Sequence, residues 1–394
     1  MAGALEGVKV VEAGLLVQGP QAAATLGQWG AEVIKAELPG FGDQARWLPV
    51  QNGDARSAYF AACNRGKRSL TVDLRRPEGR KVFFRLAAWA DVVITNFKPG
   101  TMESWGLGFE DLAARNPRLV YAAGSTFGST GVDTAREGAD LSAQAVGGLI
   151  STTGRAGGEP SPVGATIADH IAALNLVGGI LAALLARERT GVGQQVETSL
   201  VGGQLWAQAS EITGCLMTGR PGGPAERSNP YVHGLYGIFP TADGWLAIVG
   251  VVGKARARFF DLIGRPELSE QFAQPLYFAE DKAALFPLLD EALRARPTAE
   301  WCELLAAAGL RFAPVRDHGQ VVEDPGVWEN GYLVRAPGAD GGETPVVAAP
   351  VRFSDTPAEV VADVPELGQH TEEILLELGY TWDDIGELSA AGAI

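Results

Sequence analysis

Through its first 125 residues the chain alternates short apolar runs with segments of helical length, and that alternation leaves few folds open. Residues 8–12 (V-K-V-V-E) read as a buried strand. The loop A-G-L-L-V-Q-G-P follows, then a helix from about Pro20, since proline is tolerated at the first helical position. Residues 32–37 (E-V-I-K-A-E) form a second strand, and further strands are expected over residues 64–74, 91–97 and 118–123. Helical segments begin at Pro77, Gly106 and Arg136. Repeated strand, helix, strand units make a parallel α/β sheet. Ligands of such sheets sit beyond the carboxyl ends of the strands. The loop holding Val17, Gln18 and Gly19 and the segment after Glu37 are therefore the first candidates.

A second feature lies between Pro162 and Leu200. The run P-V-G-A-T-I-A-D-H leads into 16 uncharged residues from Ile171 to Ala186. That is short of the roughly 20 residues that span a bilayer, so the segment reads as a buried helix. Asp169 stands at its mouth. An Asp just before a helix is commonly an N-cap that accepts free backbone N–H groups. A carboxylate at the edge of an apolar pocket is also a candidate nucleophile or general base. From this stretch alone both readings stand.

The formal net charge is −15, which argues against a nucleic-acid or anionic-membrane surface unless basic residues are concentrated. Between Asn64 and Gly100 they are: Arg65, Lys67, Arg68, Arg75, Arg76, Arg80, Lys81, Arg85 and Lys98 oppose Asp73, Glu78 and Asp91, a local +6. A small polyanion fits that distribution better than a duplex. The first loop lacks G-x-G-x-x-G, and A-A-C-N-R-G-K-R-S fails as a phosphate loop at Ala61 and Arg68. Three cysteines without a CxxC suit reduced thiols, and four scattered histidines make no helical metal site. The N-terminus has no pattern for secretion.

After Leu200 the pattern changes. Residues 201–218 read as one long helix and G-R-P-G-G-P-A-E-R-S-N-P as a linker. Residues 236–240 and 245–251, joined through Ala242-Asp243-Gly244, look like a hairpin opening a second domain. Helices are expected at about 254–264, 280–295 and 298–308, with another boundary between 336 and 350.

Taken together, L-G-Q-W-G-A-E-V-I-K-A-E, G-D-Q-A-R, N-R-G-K-R-S-L-T-V-D-L, A-D-V-V-I-T-N-F-K-P-G, N-P-R-L-V-Y, A-R-E-R-T-G-V-G-Q-Q-V and L-G-Q-H-T-E-E-I-L resemble the class III CoA-transferases. The resemblance covers nearly the whole chain. It implies an α/β protein whose doubly wound, mainly parallel-sheet large domain is built from both chain ends, with a smaller inserted α+β domain. The boundaries would be 1–220, 221–335 and 336–394. It also implies an interlocked homodimer, which the cysteine and charge readings above place in the cytoplasm with no nucleic-acid or membrane partner. The family's catalytic aspartate falls on Asp169, and its CoA contacts fall on Val17, Gln18, Arg75, Asn96, Phe97 and Lys98. CoA or acyl-CoA is then a substrate beside a small carboxylic acid, with no metal and no tightly bound cofactor. Arg65, Lys67 and Arg68 have inter-subunit carboxylates as their alternative partners.

Two departures qualify the match. A further CoA-contacting arginine of the family would fall near Ser104. The tetraglycine loop of formyl-CoA transferase is reduced to Gly222-Gly223, which points away from formyl transfer to oxalate and toward a larger acid, such as a dicarboxylate recognised by an arginine. Two rival functions remain. A racemase of the same superfamily needs a histidine where Ala139 stands in Gly138-Ala139-Asp140. A silent CoA-binding subunit would have no need of Asp169.

Overall fold

The computed structural model describes residues 3–49, 57–338 and 341–394. Two compact units emerge: Met1–Gly147, Gly164–Ala207 and Pro325–Ile394 form one, Gly148–Val163 and Gln208–Asp324 the other. The first is built on six strands, β1 (Lys9–Ala13), β2 (Glu32–Glu37), β3 (Arg68–Thr71), β4 (Val92–Thr95), β5 (Val120–Ser125) and β6 (Gln195–Ser199). They pair in the order β3-β2-β1-β4-β5-β6, every pairing parallel. The order reverses between β1 and β4, so the loops leaving those two strands open a crevice at the switch point.

Period-two alternation divides the strand residues between two cores. Val11, Ile34, Leu70, Val93 and Tyr121 face a cluster with Phe83 and Leu86 of the Pro77–Trp89 helix and Ile374 and Leu375 near the C-terminus. Val10, Val33, Val92, Ile94 and Val120 face Ala23 and Leu26 of the Gln18–Gln28 helix, together with Leu176, Val177 and Ile180. Those last three belong to the Ile167–Thr190 helix, whose 24 residues exceed the uncharged run. It is long and apolar enough to cross a membrane by length and composition. One of its faces nevertheless packs against the sheet, while Leu174 and Leu185 stay exposed.

The basic cluster is largely spoken for within the chain. Arg68 bridges Glu32, Glu373 and Glu377, tying the Thr371–Glu377 helix to the sheet. Lys67 is buried against Glu12, and Arg65 donates to the carbonyls of Ala61 and Val347. The carboxylate partners of Lys67 and Arg68 thus come from the same chain, correcting the inter-subunit alternative.

In the second unit β7 (Leu235–Pro240), β8 (Trp245–Val251) and β9 (Phe312–Pro314) form an antiparallel sheet. Phe239, Ile248, Phe259, Leu289 and Trp301 fill its core with the helices Lys254–Leu262, Ala279–Leu293 and Thr298–Ala307. The expected helix over 201–218 is two, Leu200–Ala207 and Ala209–Thr218, parted at Gln208.

Gly79 gives a test of how the Pro77–Trp89 helix seats. A Cβ there would lie 2.1 Å from the Asp73 carbonyl oxygen, a backbone atom with no room to turn away. Alanine gains about 1 kcal/mol in helix propensity, but forcing the helix off the β3 exit costs about 1–3 kcal/mol. Gly79→Ala is expected to lower the thermal midpoint, and an unchanged or raised midpoint would contradict this packing.

Candidate active site

Asp169 is the third residue of the Ile167–Thr190 helix, and Thr166 holds the N-cap position. This corrects the capping alternative: the Asp169 carboxylate is not the helix cap. The free N–H groups are answered instead by Asp140, the first residue of the Asp140–Val146 helix. Its Oδ1 accepts from Ala168 N at 2.7 Å and Asp169 N at 3.1 Å, and its Oδ2 accepts from Gln144 Nε2 at 2.6 Å. With its backbone so engaged, the Asp169 side chain is left to face the crevice.

Asp169 is half-buried and lines a cavity of about 340 Å³ with Leu15, Leu16, Gln18, Gln44, Asn96, Phe97, Lys98, Phe127, Arg136 and Glu137. Burial, then the nearby Asp140 charge, push its pKa up to about 7, against a hydrogen bond from the Gln18 backbone N–H that pulls it down. Near neutrality such a carboxylate exists in both forms and is a stronger nucleophile when ionised than an ordinary surface aspartate. His170 follows on the same helix, and its pKa is lowered by burial against an opposing contribution from Asp140.

The two switch-point loops are stitched together. Asn96, just beyond β4, accepts from Leu15 N through Oδ1 at 2.7 Å and donates from Nδ2 to Leu15 O at 2.8 Å. Gln18 is 1% exposed, and its Nε2 has no hydrogen-bond partner among the described residues. A second cavity of about 250 Å³ shares Leu15, Gln44 and Phe97 with the first and reaches Phe41, Leu74, Arg75 and Trp105. Phe97 stands between them, edge-on to Trp105 with ring centroids 5.5 Å apart. A further chamber of about 640 Å³ adjoins through Phe97, Lys98, Pro99, Ser125 and Gly128.

Gln18, Asn96, Phe97 and Lys98 are thus gathered with Asp169, and Arg75 lies in the connected cavity, bound to Asp73 at 2.8 Å. Val17 is buried and lines neither cavity. Ser104 turns its hydroxyl onto the Thr101 carbonyl. Sequence reasoning missed Gln44, Phe127, Arg136 and the acceptor role of Asp140. The glycine- and hydroxyl-rich run G-S-T-F-G-S-T-G over residues 124–131 is the sequence signal for this wall: Phe127 belongs to it, and Arg136 lies 5.0 Å over the Phe127 ring.

Gly124 of β5 keeps room for Gln18. A Cβ at this position would fall 2.4 Å from Gln18 Oε1. Gly124→Ala is expected to displace the Gln18 amide from its place in the cavity and lower kcat/KM on the order of a hundredfold, as misplacement of about 1 Å does. Steady-state kinetics check this, and wild-type turnover would refute it.

The sequence model of CoA-transferase family III matches residues 5–371. Human succinyl-CoA:glutarate CoA-transferase is 32% identical, covering 99% of this chain and 90% of its own. Formyl-CoA:oxalate CoA-transferase of Streptomyces coelicolor is 32% identical over 99% of both chains. The crystal structure of a CAIB/BAIF family protein from Brucella suis superposes with a TM-score of 0.85 at 34% identity, covering 96% of this chain and all of that one. The chain belongs to CoA-transferase family III. It is an enzyme that moves CoA from an acyl-CoA to a free carboxylic acid, with the CoA thioester as substrate.

Proposed function

We propose that Asp169 is the nucleophile of this transfer. The ionised carboxylate attacks the thioester carbonyl and expels the CoA thiolate, leaving a mixed anhydride. The thiolate attacks the aspartyl carbonyl, releasing the donor acid and forming an aspartyl-CoA thioester. An acceptor carboxylate attacks that thioester to form a new anhydride and free the thiolate, which then takes the acceptor acyl group and restores Asp169. Two easier acyl transfers on each side replace one difficult exchange.

The observation that carries the reading is the Asp169 carboxylate opening, with a pKa near 7, into a cavity at the sheet's switch point. CoA would lie along the connected cavities, its phosphates near Arg75 and its pantetheine arm passing Asn96, Phe97 and Lys98 toward Gln18 and Asp169. Val17 would contribute through its backbone, its side chain being buried. The Ile167–Thr190 helix, packed behind Asp169, helps keep water from an anhydride that water would destroy. Lys98 and Arg136 supply positive charge in the same cavity, which favours a dicarboxylic acid. Ala139 in place of a histidine weighs against a racemase.

The reading includes a cytoplasmic interlocked homodimer in which the second unit is the small inserted domain. The three free cysteines and the exposed Leu174 and Leu185 support it. No tightly held cofactor is needed, because the thioester already carries the activated acyl group. Succinyl-CoA incubated with a panel of mono- and dicarboxylic acids should yield new acyl-CoA species, most rapidly with dicarboxylates. Hydrolysis alone, loss of chirality at Cα of a branched acyl-CoA, or binding without turnover would each defeat the proposal.

A further inference from the structure

Beneath the crevice lies a cluster of fully buried charges that the transfer steps do not use. Asp43, Glu12 and Lys35 are each 0% exposed. Lys35 Nζ is 2.9 Å from Asp43 Oδ2 and 3.1 Å from both Glu12 oxygens. Burying such a group gains little net stability over an apolar core of the same shape, so the geometry it imposes is the more informative property.

That geometry converges on one turn. Glu12 Oε1 accepts from Gly14 N at 2.7 Å, and Lys35 Nζ donates to Gly14 O at 3.2 Å. Asp43 Oδ1 accepts from Leu16 N at 2.9 Å. Lys67 Nζ joins Glu12 Oε2 at 3.0 Å to the Pro20 carbonyl at 2.9 Å. Leu16 itself has φ +62°, a left-handed conformation that is unfavourable for a leucine and persists only where the surroundings over-determine it. Two residues on, the Gln18–Gln28 helix begins, and Leu16, Gln18 and Asp169 line the same cavity, where the Gln18 N–H favours the ionised Asp169.

We infer that Asp43 is a positioning residue for CoA transfer: by holding the Leu16 N–H it fixes the left-handed turn that aims the Gln18 N–H at the Asp169 carboxylate. The inference rests on Asp169 being the reacting group. Its carboxylate is faced by the Asp140 charge, the Gln18 N–H and, more weakly, the Cys63 thiol, with His170 next on its own helix. Loss of the Gln18 hydrogen bond removes an interaction that favours the ionised form, in a cavity that Lys98, Arg136 and Glu137 also line.

Asp43→Ala, Asp43→Asn and Asp43→Glu in the full chain test this, with kcat, KM and the pH profile of kcat/KM measured beside wild type. Asn keeps an acceptor at the Leu16 N–H, whereas Glu displaces it by a methylene. Asp43→Ala should lower kcat on the order of a hundredfold and move the acid limb to higher pH, and Asp43→Asn should recover most of both. If Asp43→Ala does not fold, the Asn and Glu variants decide: Glu should show the larger loss and the shifted limb. A folded Asp43→Ala with wild-type kcat, or rate losses in any variant without a shifted limb, would overturn the assignment. Asp169→Ala in parallel keeps the two readings apart, because transfer surviving that change defeats the nucleophile and says nothing of Asp43.

Discussion

Asp169→Ala is expected to reduce CoA transfer on the order of a thousandfold or more, because removing a covalent nucleophile removes the reaction path itself. CoA binding should persist, since the cavity around Arg75 and Phe97 is lined by other elements. The same change carries a stability signature. A carboxyl whose folded pKa lies near 7, above its unfolded value, binds more protons in the native state between about pH 4 and 7. Stability from this group therefore falls as pH rises through that window. The alanine variant should outlast wild type in thermal denaturation at pH 8, with the gap closing on acidification. A variant that is inactive yet less stable at every pH would indicate that Asp169 serves the fold.

Asp140 should give the next largest effect, and a compound one. Its Oδ1 answers two N–H groups at the start of the Asp169 helix, one of them on fully buried Ala168. Asp140→Ala leaves both without that acceptor, at a cost of about 1–3 kcal/mol for each buried group. Its charge also holds the Asp169 pKa up, second only to burial. Wild type should lose kcat/KM tenfold per pH unit below an acid limb near pH 7. Without the Asp140 charge that limb should move to lower pH. Asp140→Asn, which keeps one acceptor oxygen, should show the same direction of shift with a smaller loss of stability. An unmoved limb in both variants would mean that Asp140 does not act on Asp169.

What the sequence made legible follows the range over which each signal acts. Five of the six strands of the parallel sheet overlap the segments the sequence marks, because a strand buried on both faces is written in consecutive residues such as Val92–Thr95, whereas β6 (Q-V-E-T-S) carries no apolar run and is not among them. Asp169 stood out for the same local reason, at the mouth of an uncharged helix. Interactions between distant residues left no such mark. Asp140 answers a helix 28 residues away, and Arg68 meets Glu373 and Glu377 some 300 residues on. The local +6 therefore overstated the positive charge open to a ligand: Lys67 and Arg68 are paired within the chain, and Arg85 stacks on Tyr380. Nor does anything in E-V-I-K-A-E reveal that Lys35 points into a buried cluster, since an inward lysine in a strand looks the same as an outward one. The two-helix outcome over 200–218 has a similar origin, because the break at Gln208 carries no proline or glycine.

The central claim is that turnover passes through acyl chemistry on Asp169. Trapping with hydroxylamine during turnover, followed by peptide mass spectrometry, tests it most directly. The account predicts a hydroxamate on Asp169, formed only when acyl-CoA is present and on no other carboxylate. An unmarked Asp169 in an enzyme that is turning over, or the mark on a different residue, would contradict it.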